Sequence, residues 1–369
     1  MENTLVQSER NVGIDLFRFI SMFMVVVLHI LGHGGVLYSG DVTGSKYMWV
    51  YYLETLFVIA VNCFALISGY VNYKKSFSIK RVLNIWLQVF FINLIVSLIF
   101  IIFNGETFNF VTFLDVVFPV LRRRYWYVSC YFMILLLMPL LNLAIKHFSK
   151  KHLITLLIFV GGLIGVSALF CGKFTLFDFG NGYTVTWLAY LYLVGGVIHK
   201  YDLRIKFFDK HKIFYLLTYF SLSIISLCFS FVTMAAFGKH AVLYYTNIFN
   251  LINSVLLLMY FANLNLKPNK VINYLSVTSF GVYLLHEQPF IRSKFIYKRF
   301  VAIAETNSFL IYLSIIVFAA LIYLICSTLE FLRQKLFKLL KIDKAVIKLD
   351  SMYTNKFNKS VKAVNAGSV

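Results

Sequence analysis

Charged residues are scarce in this chain. Asp, Glu, Lys and Arg together make up 14% of its 369 residues, whereas they supply about a quarter of an ordinary soluble domain. Hydrophobic residues make up 60%, including 39 Phe and 24 Tyr, and the mean hydropathy is +0.80. A soluble fold cannot bury that much apolar surface, so the composition predicts a polytopic membrane protein.

Cysteine and acidic residues are also few. The cysteines are scattered and most lie inside apolar runs, so we expect neither a disulfide framework nor a metal site; they are Cys63, Cys130, Cys171, Cys228 and Cys326. Asp and Glu number 15 against 35 Lys and Arg, which gives a formal net charge of +20. The basic residues concentrate in short loops and in the C-terminal tail. That placement indicates membrane topology and anionic lipid headgroups rather than nucleic-acid binding.

About ten apolar runs approach the roughly 20 residues that a helix needs to cross the hydrocarbon core. They predict an all-α membrane helix bundle with spans at 14–33, 51–72, 82–103, 125–145, 153–171, 184–199, 213–236, 244–262, 271–290 and 308–332. The first run has no small-residue cleavage site after it, so we expect it to stay in the protein. We find no soluble domain and no repeat.

The basic loops fix the expected orientation. Alternating spans bring most Lys and Arg to one side, in loops 74–81, 146–152, 200–212 and 267–270 and after residue 333. The positive-inside rule then predicts that both termini are cytoplasmic. Residues 1–332 are expected to form the membrane domain. Residues 333–369 are expected to form a cytoplasmic tail, beginning as a basic amphipathic helix on the inner leaflet and ending disordered in "NAGSV".

The first apolar run carries polar residues on one face. From Arg18 to His29 is eleven residues, about 1100° of helix rotation, which returns to nearly the same face. Asp15, Met22 and His33 share that stripe. Charged groups in a membrane helix are costly and usually functional, so the stripe should face a polar cavity or the bundle interior. An arginine at a helix end is often only a snorkelling anchor, and a lone buried histidine is often only a hydrogen-bonding residue.

The two side chains together favour a function. Histidine is suited to act as a general base near neutral pH. Arginine is suited to bind phosphate, because its planar guanidinium group carries several N–H donors. Arg18 and His29 are separated by about 16 Å along the helix. This spacing suits a long substrate with a phosphate at one end and a reactive group at the other, such as an acyl-coenzyme A.

Other candidates are predicted at the outer side. His286 lies about as far along the ninth run as His29 along the first, so both should reach one level. Trp126 is expected at the outer mouth, as an interfacial belt residue or a platform for a sugar ring. Glu54 and Glu287 could each pair with one of the bases nearby, and for Glu287 simple solvation at the interface is the expected alternative.

Basic residues also lie on the predicted outer side. They either interact with nearby lipid headgroups and loop charges or form a basic rim at the mouth of an outward-facing site. Such a rim would favour a negatively charged acceptor. These residues are Arg122, Arg123 and Arg124 before the fourth run (125–145), and Arg292 and Arg299 after the ninth run (271–290).

Several segments resemble one family. Arg18 and His29, with ten residues between them in a helix that begins "GIDLFRFIS", resemble the signature of the acyltransferase 3 family of integral membrane O-acyltransferases. Further similar segments follow in order: "FALISGY" (64–70), "KKSFSIKRVLNIW" (74–86), "YWYVSCYFMILLLMPLL" (125–141) and "SFGVYLLHEQP" (279–289). The resemblance extends to about residue 330. It implies an enzyme of the bacterial cell membrane that moves an acetyl or other acyl group from cytoplasmic acetyl-coenzyme A to a hydroxyl of a surface polysaccharide or lipid-linked glycan.

The resemblance also implies roles for individual residues. His29 would be the general base or a nucleophile that carries the acyl group, two alternatives that the sequence leaves open. Arg18, oriented by Asp15, would be catalytic and would bind coenzyme phosphates. The acceptor would be bound by Trp126, His286, Glu54 and the arginines at 122–124, and no metal is expected.

One departure concerns the coenzyme site. Similar family members often have two arginines three residues apart at the start of the third span. Here Arg81 fills the first place and Asn84 the second. Lys74, Lys75 and Lys80 are expected to supply the missing positive charge.

Two other functional classes compete with the enzyme. A transporter or flippase of an anionic lipid-linked glycan would also use intramembrane charges, but the two halves show no matching pair of broken helices. A sensor or scaffold without catalysis fits the polar stripe least. Neither the acceptor nor the oligomeric state is defined by the sequence.

Overall fold

The chain folds into a bundle of α-helices. The computed structural model describes residues 10–40, 43–170 and 179–366, with side chains up to residue 355 except that of Ser308, and these residues form no strand. The helices are α1 Val12–Leu31, α2 Gly44–Phe57, α3 Ala60–Asn72, α4 Ile79–Asn104, α5 Phe110–Val117, α6 Trp126–His147, α7 Lys150–Leu169, α8 Val185–Lys200, α9 Lys206–Lys210, α10 Ile213–Phe237, α11 Ile248–Ala262, α12 Lys270–His286, α13 Pro289–Ile291, α14 Ser308–Leu339 and α15 Ile342–Ala366. Cys171 lies outside the described residues.

Polar side chains and glycines set many of the helix boundaries. A side chain at the position before a helix can accept a hydrogen bond from a free backbone N–H of its first turn. Such caps begin eight of the described helices, at Asn11, Asn109, Ser149, Thr184, Asn247, Asn269, Gln288 and Asn307. Gly105 and Gly238 end α4 and α10 with φ of 67° and 66°, a left-handed conformation that favours glycine.

Seven segments within the described ranges are long and apolar enough to cross a membrane. They are Val12–Leu31, Gly44–Asn72 (α2 and α3 together), Ile79–Asn104, Trp126–His147, Lys150–Leu169, Ile213–Phe237 and Phe309–Leu339. The predicted count of ten spans is therefore not confirmed. The runs at 184–199, 244–262 and 271–290 form α8, α11 and α12, which have 16, 15 and 17 residues, fewer than the roughly 20 of a typical span. The cytoplasmic position of the termini stays a prediction.

The helix α1 lies at the centre of the bundle. It contacts α2, α3, α11, α12 and α14, and its residues Phe17, Val27 and Ile30 are fully buried. A polar residue on a helix enclosed in this way faces other protein groups or a cavity rather than lipid. The fold thus places the predicted stripe of α1 inside the protein.

The helices α3 and α8 pack with their backbones close together. An added Cβ at Gly69 would lie 1.9 Å from the backbone oxygen of Tyr192, and one at Gly195 would lie 2.1 Å from that of Leu66. Small residues allow this approach, which is a common way for membrane helices to associate. The contact fixes α3, whose other residues line the cavity described below.

We expect Gly69→Ala to destabilise the protein, because its methyl group would overlap a backbone oxygen that cannot rotate away. Overpacking of this kind costs about 1–3 kcal/mol or more, so the thermal unfolding midpoint of the detergent-solubilised protein should fall by several degrees. Gly162→Ala on α7 is the matched control, since a Cβ there has no atom within 4 Å. Equal midpoints for the two variants would contradict this account of the α3–α8 contact.

The C-terminal region is helical and attached to the bundle. The helix α14 continues past the predicted boundary at residue 332 to Leu339, and α15 then packs against α4 and α14. Asp350 of α15 accepts hydrogen bonds from the backbone N–H of Lys80 at 3.0 Å and from Ser78 Oγ at 3.4 Å. The tail therefore covers the beginning of α4. Of the segment "NAGSV", which was predicted to be disordered, Asn365 and Ala366 belong to α15. Residues 367–369 lie outside the described part of the chain.

Candidate active site

A large cavity lies in the bundle beside α1. Its volume is about 1230 Å³, and it is lined on α1 by Arg18, Met22, His29 and the following His33. Arg18 and His29 are separated by about 16 Å along α1, so the cavity extends at least that far along this helix. We call its two ends the Arg18 end and the Tyr38 end, after lining residues at each. The prediction that the polar stripe faces a cavity is confirmed.

His29 and His286 are in direct contact inside the bundle. His29 Nδ1 lies 2.8 Å from His286 Nε2, and His286 Nδ1 lies 2.5 Å from the backbone oxygen of Val282. Because the carbonyl only accepts, His286 Nδ1 carries a proton that it donates to Val282. With both rings neutral, His286 Nε2 then accepts from the Nδ1–H of His29. The prediction that the two histidines reach the same level is confirmed.

Glu287 supports the same arrangement of protons. Its Oε1 lies 3.2 Å from His29 Nδ1 and 3.7 Å from His33 Nε2, and its Oε2 accepts a hydrogen bond of 2.9 Å from Arg292. Two acceptors, His286 Nε2 and Glu287 Oε1, thus face His29 Nδ1, so the proton belongs on that nitrogen. His29 Nε2 remains as the basic nitrogen. Glu287 is only 5% exposed, so the expected solvation of this residue is wrong.

The same side chains could also accommodate a divalent cation. One ligand atom each of His29, His33 and Glu287 lie within 4.8 Å of one another, and imidazole with carboxylate is a ligand set that zinc accepts. The hydrogen bond to His286 already uses His29 Nδ1. Binding an ion through that nitrogen would require its proton to leave and the contact with His286 to break.

Arg18 is held at the other end of the cavity by Asp15. Its NH1 donates to Asp15 Oδ1 at 3.2 Å and to Ser276 Oγ at 3.3 Å. Asp15 is 5% exposed and also forms an ion pair with Arg10. A buried carboxylate shared by two guanidinium groups fixes the orientation of Arg18, and a role of Asp15 in the reaction stays a prediction.

The loop between α3 and α4 brings more positive charge to the Arg18 end. Asn142 of α6 donates to the backbone oxygens of Asn72 and Lys75, at 3.1 and 2.9 Å, and so anchors the loop. Partial burial, together with the charges of Arg81 and Arg18, lowers the pKa of Lys75. The three cations are therefore within electrostatic reach of one another. Asn72 itself lines the cavity.

The remaining basic residues of this region have other contacts. Lys74 Nζ lies over the ring of Tyr73, 5.3 Å from its centroid. Arg81 donates to Met138 Sδ at 3.3 Å and to the backbone oxygen of Ser76. Lys80 is held through its backbone by α15. These residues surround the Arg18 end without lining the cavity, and their binding role stays a prediction.

Aromatic side chains form a patch at the Tyr38 end. The ring of Trp126 lies 4.5 Å from that of Tyr183 and 6.1 Å from that of Tyr245, in the latter case nearly parallel, and all three line the cavity. The hydroxyl groups of the two tyrosines are 3.3 Å apart. We call Trp126, Tyr183 and Tyr245 the aromatic patch. Glu54 lines the cavity as well and is 8% exposed.

The three consecutive arginines lie away from this cavity. Arg122 and Arg124 both pair with Asp115 of α5, at 2.8 and 3.1 Å. Arg123 occupies the turn between them with φ of 52°. None of the three belongs to the described lining. The nearby cations that do line it, Arg292 and Lys298, come from the segment after α12.

Sequence reasoning missed several parts of the site. Ser276 contacts both Arg18 and Asp15, and Tyr183 and Tyr245 complete the patch around Trp126. Glu287, which faces His29, was named from the sequence as a possible partner of the bases but was expected to be solvated. The others sit in ordinary polar positions that only the packing brings to the cavity.

Comparison with known proteins identifies the family. The profile described as an acyltransferase domain matches residues 11–329, so the chain belongs to the acyltransferase 3 family. This stretch contains all of the lining residues named above. No curated protein and no solved structure matches the chain. The protein is thus a multi-pass membrane acyltransferase of helical fold.

Proposed function

We propose that the protein transfers an acetyl or similar acyl group from acyl-coenzyme A to a hydroxyl group of a cell-surface glycan or its lipid-linked precursor. One observation carries the proposal: a single cavity connects Arg18, which suits a phosphate, with His29, which suits a base. An acyl-coenzyme A is long and has its anionic phosphates far from its thioester. It therefore matches the distribution of these two groups.

Binding of the donor would use the Arg18 end of the cavity. Arginine offers several donors in a planar fork for phosphate oxygens, and Lys75 and Arg81 lie within electrostatic reach of Arg18. Lys74 and Lys80 would add positive charge around the coenzyme. This end would face the cytoplasm, where the coenzyme is available, and the protein would reside in the bacterial cell membrane.

The transfer step would take place at His29. The acceptor oxygen forms a bond to the acyl carbonyl carbon while His29 Nε2 removes the hydroxyl proton. The carbon–sulfur bond then breaks, and the thiolate leaves with that proton, which gives an ester and free coenzyme A. His286 and Glu287 would hold the Nδ1–H of His29 and so keep Nε2 unprotonated and oriented. His286 would thus act behind His29 rather than on the acceptor.

The alternative role of His29 is nucleophilic. Its Nε2 would take the acyl group from sulfur first and then pass it to the acceptor. The two routes differ when no acceptor is present, because only the nucleophilic route accumulates an acyl group on the protein. Rapid denaturation and mass measurement of the intact chain after incubation with acetyl-coenzyme A distinguish them. We propose the direct route, which predicts no increase in mass.

Purified protein in detergent, incubated with acetyl-coenzyme A carrying labelled acetyl and with glycan acceptors, tests the function. We expect label in a base-labile ester on the acceptor and an equal amount of free coenzyme A, measured by chromatography. A transporter or flippase would produce neither product. Movement of the glycan between leaflets without ester formation would contradict the enzyme and support the transporter.

A further inference from the structure

The Tyr38 end of the cavity contains a buried carboxylate that has one oxygen without a hydrogen-bond partner. Glu54 is 8% exposed, and its Oε2 accepts no hydrogen bond in the described structure. None of the ion pairs among the described residues includes Glu54. A buried polar atom left without a hydrogen bond destabilises the protein, and more so when it is charged. A ligand that donates a hydrogen bond there would remove this destabilisation.

Aromatic rings surround the same part of the cavity. Burial is the main cause, and the charge of Glu54 a further cause, of the raised pKa values of Tyr38 and Tyr183. Glu54 is therefore within electrostatic reach of both phenols. Trp126 contacts Tyr183 and Tyr245, so Glu54 and the aromatic patch line one region.

A carboxylate next to aromatic faces is suited to a cation. Ring faces attract ammonium groups through their quadrupoles, and this attraction is strongest for tryptophan and for desolvated sites. The same faces also stack on the apolar side of a sugar ring. An anionic group would instead meet the charge of Glu54. The three consecutive arginines do not line the cavity. Of the cations that do, Arg292 is paired with Glu287 and Lys298 Nζ lies over the ring of Tyr297.

We propose that Glu54 and the aromatic patch form a subsite for an amino-bearing sugar ring, whose ammonium group donates to Glu54 Oε2 while the ring stacks on Trp126. The proposal gives the acceptor of the proposed function a chemical class, and it rests on that function for its role in the reaction. It replaces the negatively charged acceptor expected from the arginines with a positively charged one. Binding at this subsite requires no acyl transfer.

Equilibrium binding of two matched oligosaccharides tests the subsite. The ligands are a glucosamine trimer with free amino groups and its fully N-acetylated form, which has the same rings and linkages without the charge. The full chain is used in neutral detergent without anionic lipid. We expect wild-type protein to bind the amino form at least tenfold more tightly, a difference of about 1.4 kcal/mol.

Variants identify the groups responsible. Glu54→Gln, which keeps the size of the side chain, should remove the preference, whereas Glu54→Asp should keep most of it. Trp126→Ala should weaken the binding of both forms. Asp115→Asn is the control for general attraction of a cation to an acidic surface, and it should leave the preference unchanged.

The proposal is overturned if wild-type protein binds both forms equally or binds neither, if Glu54→Gln keeps the preference, or if Asp115→Asn removes it as well. These outcomes differ from failure of the proposed function. Absence of ester formation in the transfer assay would contradict the enzyme even when the Glu54-dependent binding is present.

Discussion

His29→Ala is expected to lower the rate of acyl transfer by a factor of about 10²–10⁴, the usual contribution of a positioned general base. The physical reason is that Nε2 of His29 is the nitrogen left free by the contacts of Nδ1 with His286 at 2.8 Å and Glu287 at 3.2 Å. The rate is measured with purified protein as label transferred from acetyl-coenzyme A. Binding of the donor should change little, because the imidazole lies far from the phosphate end of the cavity.

His33→Ala serves as the matched control for this result. His33 follows the end of α1, four residues after His29, and lies 3.7 Å from Glu287. Its side chain is more exposed than that of His29. Its replacement should slow transfer by less than tenfold. Equal losses in the two variants would indicate that the histidine cluster acts as a unit, for example as a metal site, and would contradict a single base at His29. Loss of activity after treatment with a metal chelator would also support a metal site and contradict a single base at His29.

Arg18→Met is expected to raise the KM for acetyl-coenzyme A by about 10–100-fold. A hydrogen bond to a charged group contributes about 1.5–3 kcal/mol, and tenfold corresponds to about 1.4 kcal/mol. Arg18 is fixed by Asp15 and Ser276 at 3.2 and 3.3 Å, so it is already oriented before the phosphate arrives. Arg18→Lys should recover only part of the loss, because an ammonium lacks the planar fork.

The donor itself provides the control for the Arg18 variant. S-acetylpantetheine has the same thioester but lacks the nucleotide phosphates. Wild-type protein should strongly prefer acetyl-coenzyme A, and this preference should nearly disappear in Arg18→Met. A variant that loses both donors equally would show that Arg18 supports the fold or the chemistry rather than the phosphates. The thermal unfolding midpoint separates these two outcomes.

The interior face of α1 was predictable from the sequence. The spacing of Arg18, Met22, His29 and His33 follows the helical period. In a membrane helix such a polar stripe faces the bundle interior or a cavity rather than lipid. The common level of His29 and His286 was also predictable, since each lies a similar distance along an apolar run. Both predictions use only the rise and rotation of a helix.

Contacts between distant segments were not predictable in this way. The role of Asp115 in pairing with Arg122 and Arg124 depends on the short helix α5, which has no apolar run long enough to indicate it. Glu287 is buried because the chain turns after α12 toward Arg292 instead of meeting solvent. The count of ten spans is not confirmed, because α8, α11 and α12 are apolar but have only 16, 15 and 17 residues, fewer than the roughly 20 of a typical span.

The acyl-ester content of the cell-surface glycan tests the central claim most directly. It should be compared between cells that express the wild-type protein, cells that express His29→Ala at the same level in the membrane, and cells without the protein. We predict base-labile acyl groups on the glycan only with the wild-type protein. Equal ester content in all three strains, with a change only in the amount of glycan at the surface, would contradict the acyltransferase mechanism at His29.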